Sequence, residues 1–316
     1  MNYKGILFFL GINLLLISFF STINIFYSIY FDFIIGINSY LVTLGISLIL
    51  GFAFYFIGRN NKDISLTDQI IFIILSFILI PFFISVPYYL SIYDIGLLDA
   101  YFESVSGFTT TGFSIIYDVN IIDEPLKLWR SSSQWVGGLV FLIAIIGTIG
   151  SKQIKITPAY LISGGASGRN FYNNFNYNFI KIFIIYFLST LLIIFLYTLT
   201  NLRLLDSVNL AFTSISSGGF IPNDNLSNIL INNVQVLVFS ITLLFPIFNF
   251  FLLHDLITRR FLFKNYYEDL HLGILIILLV ISLYFFAIPE EGIANVLFAI
   301  TSSISTSGIT TYSSNL

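Results

Sequence analysis

The chain has no cysteine among its 316 residues. That excludes disulfides, thiolate metal sites and cysteine nucleophiles. Charge is scarce too. Only 9% of residues are Asp, Glu, Lys or Arg, against roughly 25% in a soluble domain. So few charges cannot coat a water-exposed surface of this size, and lipid must replace water over much of it. The formal net charge of −3 says little by itself, and no nucleic-acid partner is expected. His-Glu-x-x-His and phosphate-loop patterns are absent.

What is present is apolar, with 57% of residues hydrophobic. Long uncharged stretches cover 5–31, 33–58, 69–93, 131–151, 182–202, 225–254 and 270–289. Each has about the 20 residues that a helix needs to cross the hydrocarbon. Backbone groups in lipid must be satisfied within the segment, so helices are expected. The polar start Ser131, Ser132, Ser133 and Gln134 blurs the beginning of the fourth span. The first apolar run continues to about Tyr30 with no small-residue cleavage site, which predicts a retained helix and not a signal peptide. Pro81 and Pro246 are expected to kink their spans, and Asn249 to act as interhelical glue or a pore-lining group.

Charge distribution predicts a multi-pass protein with its N-terminus in the cytoplasm. Lys4, Arg59, Lys62, Lys152, Lys155, Arg169, Lys181, Arg259, Arg260 and Lys264 then fall inside, and only Lys127, Arg130 and Arg203 outside. That is the asymmetry of the positive-inside rule. It holds only if 94–125 and 203–224 enter and leave on the outer face. Acidic residues lean outward: Asp32, Asp94, Asp99, Glu103, Asp118, Asp123, Glu124, Asp206, Asp224, Glu290 and Glu291. They form either a cation-concentrating vestibule or charge that is merely tolerated there.

Three segments repeat a plan. They are Leu98–Phe113, Leu205–Phe220 and Ile293–Ile309. In each, a short helix-compatible stretch runs into Ser and Thr, then a glycine and an apolar residue. The aligned glycines are Gly112, Gly219 and Gly308. A span precedes each, and one follows the first two, so the unit is helix, re-entrant loop, helix. Non-helical backbone at membrane depth is tolerated where it is buried in protein or lines a water-filled cavity. Gly opens backbone angles closed to other residues, and Ser and Thr add hydroxyl acceptors. Rings of such oxygens can replace the water around a cation. Ordinary loops or small-residue packing would give the same composition in any single copy.

The first loop, Phe102-Glu-Ser-Val-Ser-Gly-Phe-Thr-Thr-Thr-Gly112, closely resembles the first pore loop of the Trk/Ktr/HKT superfamily of potassium and sodium transporters, in its TrkH-type branch. Trp129-Arg-Ser-Ser-Ser-Gln-Trp-Val-Gly-Gly138, Phe212–Phe220 and Ser303–Gly308 extend the likeness across the chain. The resemblance implies an all-α membrane protein with M1–pore loop–M2 repeats about a pseudo-fourfold pore axis. An N-terminal helix pair would occupy 1–62, the first repeat 63–155, the second 175–264 and part of a third 265–316. It implies potassium uptake across the plasma membrane, here a bacterial inner membrane. The filter residues would be Thr110, Thr111 and Gly112, then Ser217, Gly218 and Gly219, then Thr306, Ser307 and Gly308. Glycine at position 112 goes with potassium in the plant relatives and serine with sodium. The expected partners are potassium as substrate, membrane lipid, a second copy in a homodimer and a cytosolic nucleotide-binding regulatory subunit of the TrkA/KtrA type. No cofactor is expected in the chain itself, a nucleotide entering only through that partner.

Only eight residues follow Gly308, too few for a crossing helix. The sequence is thus expected to be a truncated product, half of a split gene or an incomplete sequence, and a non-conducting subunit is the alternative function. A third reading, an intramembrane serine protease, would use Gly165-Ala-Ser-Gly168. Ser167 sits in a polar stretch beside Arg169 and Asn170, far in sequence from His254 and His271, and such chemistry needs a base. No enzyme is expected. His254, Asp255, Arg259 and Arg260 make a charged helix end, read as a basic anchor or a docking surface for the regulatory subunit.

Overall fold

The computed structural model describes residues 1–61, 64–149, 175–248, 267–286 and 292–310. Ser167 and its motif, Asn249, His254, Asp255, Arg259, Arg260 and the pair Glu290 and Glu291 lie outside the described residues. The chain divides into two compact units, Met1–Thr148 and Ile149–Leu316.

In the first unit, helix α1 spans Tyr3–Tyr30, α2 Ile34–Gly58, α3 Leu66–Tyr89, α4 Leu97–Phe108 and α5 Glu124–Ile149. Their ends carry local signals. The side chain of Asn2 accepts the Gly5 N–H at 3.1 Å and caps α1. Ser65 and Asp68 form a reciprocal capping box at the start of α3. The backbone N–H of Asn2 donates to Asp68 Oδ1 at 3.1 Å, joining the starts of α1 and α3. Helices α1 and α2 approach closely over glycines. A Cβ on Gly58 would stand 2.1 Å from the carbonyl oxygen of Lys4, and one on Gly11 would stand 2.9 Å from that of Gly51. Small residues let apolar helices pack backbone to backbone in lipid, where hydrophobicity alone gives no reason to associate. Asn13 Nδ2 donates to Ser76 Oγ at 3.2 Å and bonds α1 to α3.

In the second unit, α6 spans Phe175–Leu199, α7 Leu204–Ser216, α8 Asn233–Thr242, α9 Tyr267–Phe286 and α10 Ile293–Ile304. Ile276 of α9 packs with Val296 and Ile300 of α10. The rings of Phe239 on α8 and Phe298 on α10 stack at 5.7 Å.

Four described helices are long and apolar enough to cross a membrane: Tyr3–Tyr30, Gly36–Gly58, Thr67–Tyr89 and Ile182–Leu199. Helices α5 and α9 occupy two more of the expected spans. The chain is all-α in its described elements and multi-pass. The described part of the stretch 225–254, as far as Phe248, departs from expectation. It opens with a 3-10 turn at Leu226–Asn228, and α8 stops at Thr242, followed by turns to Phe248. Pro246 therefore lies past the end of α8, whereas Pro81 is inside α3. The fourth span starts at Glu124, seven residues before its serines. Ser131, Ser132 and Ser133 are buried, and each donates its hydroxyl to a carbonyl three or four residues back in α5. Polar side chains of this kind need no outside partner in an apolar setting.

Candidate functional site

Helices α4, α7 and α10 have 12, 13 and 12 residues. At 1.5 Å per residue they reach about 18–20 Å, short of the roughly 30 Å of hydrocarbon. Each ends in one of the three Ser/Thr/Gly segments. The backbone there is the same in all three. Thr110 has φ +56° and Gly112 +83°. Ser217 has +55° and Gly219 +82°, and Thr306 has +59° and Gly308 +63°. The residue between each pair, Thr111, Gly218 or Ser307, is absent from the positive-φ set. The sign of φ thus alternates across each triplet.

The first turn of this pattern is a helix C-terminal cap. Thr111 N donates to Ser106 O at 2.9 Å, and Gly218 N donates to Thr213 O at 3.1 Å. Such six-to-one bonds close a helix through a left-handed residue. That residue is usually glycine or asparagine, yet here it is Thr110 or Ser217, and Thr306 of the third loop has the same left-handed φ. A left-handed conformation costs a non-glycine residue about 1–2 kcal/mol. The same local cost at one position of three loops is a mark of constraint at a functional feature. It also leaves the carbonyl end of each short helix, the negative end of its dipole, against the loop.

What holds each loop differs. In the first, Glu103 of α4 is fully buried and Arg130 of α5 nearly so. Arg130 Nε donates to Glu103 Oε1 at 3.0 Å, and its Nη2 donates to Ser114 Oγ at 3.0 Å. Ser114 Oγ donates back to Glu103 at 3.0 Å, and Ile115 N donates to Glu103 Oε2 at 2.9 Å. The carboxylate therefore grips the chain just past Gly112 and Phe113. Glu103 and Arg130, which the sequence reading counted separately among outer-side charges, form a buried pair. The end of α4 also meets α5 directly. A Cβ on Gly137 would stand 1.8 Å from Phe108 O, and Trp129 Nε1 donates to Ile84 O of α3 at 2.9 Å.

In the second loop the fastening is a tyrosine. Tyr197 of α6 is buried, and its hydroxyl bonds Ser214 Oγ of α7 at 2.7 Å and Thr242 Oγ1 of α8. In the third, Ser302 Oγ donates to Ile309 O at 2.6 Å, and Ser305 Oγ donates to Ser307 Oγ at 3.0 Å.

Near the first loop, Asp123 precedes α5 in a partly buried position. Tyr93 Oη donates to Asp123 Oδ1 at 3.2 Å and accepts from Asp123 N at 2.8 Å. Burial pushes the Asp123 carboxyl from 3.8 up to about 6, with the Tyr93 bond only partly opposing it. Burial and the neighbouring carboxylate push Tyr93 to about 12. A raised acid binds its proton more tightly in the folded state. Its favourable contribution is therefore full below about pH 3.8 and is lost as pH rises through about 6. The shift corresponds to roughly 3 kcal/mol. Asp123→Asn is expected to flatten the fall in thermal stability between about pH 4 and 6, read by melting in detergent.

Among the described residues, no group of three or more His, Cys, Asp or Glu is placed to hold a metal ion.

No family model matches the chain. An uncharacterized cation transporter of Methanocaldococcus jannaschii is 28% identical over 312 residues, covering 98% of this chain and 64% of that protein. The Trk system potassium uptake protein TrkH of Halomonas elongata is 26% identical over 299 residues, covering 86% of this chain and 59% of that one. The crystal structure of the potassium transporter TrkH from Vibrio parahaemolyticus superposes with a TM-score of 0.79 over 99% of this chain, at 20% identity. In sequence the chain is similar to these cation and potassium transporters, and in fold to TrkH. The chain spans less than two thirds of the length of the two curated relatives described and 66% of the TrkH crystal chain. The proteins that it resembles are transporters. Within that likeness, the sequence singled out the loop triplets, but it missed the role of Gly137. The only signal was its place beside Gly138 after a tryptophan-rich helix start, which does not say what Gly137 touches.

Proposed function

We propose that this chain supplies most of a potassium-uptake pathway in a bacterial inner membrane, with its N-terminus in the cytoplasm. The supporting observation is the alternation of φ across three equivalent triplets, each at the carbonyl end of a helix too short to span. Alternating left- and right-handed residues turn successive carbonyls toward one side. A potassium ion can exchange its hydration shell for such oxygens. In this reading Thr110, Thr111 and Gly112, then Ser217, Gly218 and Gly219, then Thr306, Ser307 and Gly308 each supply one part of the filter, aided by Ser and Thr hydroxyls. The repeats, with boundaries at 63–155, 175–264 and 265–316 after an N-terminal pair at 1–62, stand about a pseudo-fourfold axis. A homodimer and a cytosolic nucleotide-binding subunit of the TrkA/KtrA type complete the assembly. The relatives, a cation transporter and a potassium uptake protein, support the same substrate class.

Gly112→Ser tests the reading. At φ +83° any side chain is strained, and a carbonyl displaced by a few tenths of an ångström no longer replaces water evenly. Potassium uptake by the full-length protein, in cells lacking their own uptake systems, is expected to drop about tenfold or more relative to sodium. Unchanged potassium uptake with normal protein levels sinks the proposal.

A further inference from the structure

The first loop differs from the others in one respect that the proposed pathway does not by itself require. It is fastened by charge. Aligned on the loop glycines, the place of Glu103 is taken by Leu210 in the second segment and Ala299 in the third, and that of Ser114 by Ile221 and Thr310. The other two loops are fastened by hydroxyls, Tyr197 with Ser214 and Ser302 with Ile309 O.

We infer that Glu103 and Arg130, with Ser114 between them, are the positioning group that sets the cation preference of the first loop. The inference rests on the filter reading above. Three features of the geometry carry it. The pair is almost wholly withdrawn from solvent, at 0% and 3% side-chain exposure. The grip falls on Ser114 and Ile115, two and three residues beyond Gly112, so it fixes the exit of the triplet while the helix cap fixes its entry. And the guanidinium is used as a fork, Nε on the carboxylate and Nη2 on the serine hydroxyl. A lysine ammonium cannot hold two such partners in a fixed plane. A loop whose exit is held by charge-assisted bonds is less compliant there than one held by neutral hydroxyls, because such bonds are roughly twice as strong. Glu103 and Arg130 touch no ion in this account. They act through the backbone of residues 110–115.

The test measures rubidium and sodium uptake side by side, with the amount and melting temperature of the full-length protein in the membrane. Gly112→Ser serves as the control. Glu103→Gln keeps the shape but loses the charge, and is expected to lower the rubidium-to-sodium ratio about tenfold, the scale of one charge-assisted bond. Ser114→Ala leaves the ion pair in place and is expected to lower the ratio about threefold with little change in melting. Arg130→Lys keeps the charge without the fork, and is expected to hold protein level near the parent's while the ratio falls. If Glu103→Gln and Ser114→Ala lower only the amount of folded protein, and the ratio and half-saturating rubidium concentration stay unchanged while Gly112→Ser shifts them, the pair is structural and the inference fails. If Arg130→Lys leaves the ratio unchanged, the fork plays no part and the inference fails as well. If Gly112→Ser is also silent, the filter reading itself falls.

Discussion

Gly137→Ala is expected to be among the most damaging single substitutions in the first unit. The added methyl would sit 1.8 Å from Phe108 O and 2.5 Å from its carbonyl carbon. Both atoms belong to the backbone of α4 at its last turn, so no side-chain rotation relieves the clash. Either α5 or the end of α4 must move by more than an ångström. The move breaks packing around Phe108, which is fully buried and meets Phe77 of α3 edge-on at 5.4 Å. Overpacking of a tight contact costs about 1–3 kcal/mol and more where backbone is the obstacle. Thr109 and Thr110 follow Phe108 at once, so the loss reaches the triplet. The expected result is a melting temperature lowered by several degrees together with potassium uptake reduced about tenfold or more at equal protein level. A variant with wild-type melting and wild-type uptake would show that α4 and α5 do not meet tightly at Gly137. Gly45→Ala is the matched control, since a Cβ there meets nothing within 4 Å.

Breaking the buried pair from one side should be costly, and removing both charges should not. Glu103→Leu leaves Arg130 charged, almost without solvent and without its carboxylate. Loss of one partner of a buried pair costs about 3–5 kcal/mol, because the survivor is uncompensated. Glu103→Leu combined with Arg130→Leu removes that penalty, and stability is expected to return to within about 1–2 kcal/mol of the parent. Ser114 Oγ and Ile115 N still lose their acceptor in the double variant, which accounts for the remainder. Denaturation in mild detergent gives both values as a double-mutant cycle. Equal loss in the single and double variants would mean that the pair contributes nothing beyond its packing.

The sequence made some of this legible and hid the rest for identifiable reasons. Helices α1, α2, α3 and α6 follow from uninterrupted apolar runs, since length and hydrocarbon thickness leave little choice. The three triplets follow from repetition, which a chain reveals without knowing its fold. Composition failed at 225–254. An uncharged stretch is equally compatible with a helix and with a turn buried in protein, and the Asn-rich start at Asn223, Asn225 and Asn228 went to turns instead, where Asn side chains bond their own backbone. The pairing of Glu103 with Arg130 was hidden because a charge count assigns sides and not partners. Their pairing joins residues 27 positions apart on α4 and α5, and no local pattern encodes that. Gly137 was hidden for the same reason, as its meaning lies in a neighbour distant in the chain.

The glycine contacts between α1 and α2 bear on how the chain enters its membrane. Gly11 meets Gly51 and Tyr55, and Gly58 meets Lys4 and Phe8, all within the first 58 residues. The hairpin's own contacts are complete when its second helix has left the ribosome, before any residue of the first loop has been made. It can therefore insert and close as a finished unit, and α3, tied to it through Asn2, Asp68, Asn13 and Ser76, arrives at a surface already in place. On this order of events, a bulky residue at Gly58 harms biogenesis at the earliest stage, upstream of anything that the ion pathway does.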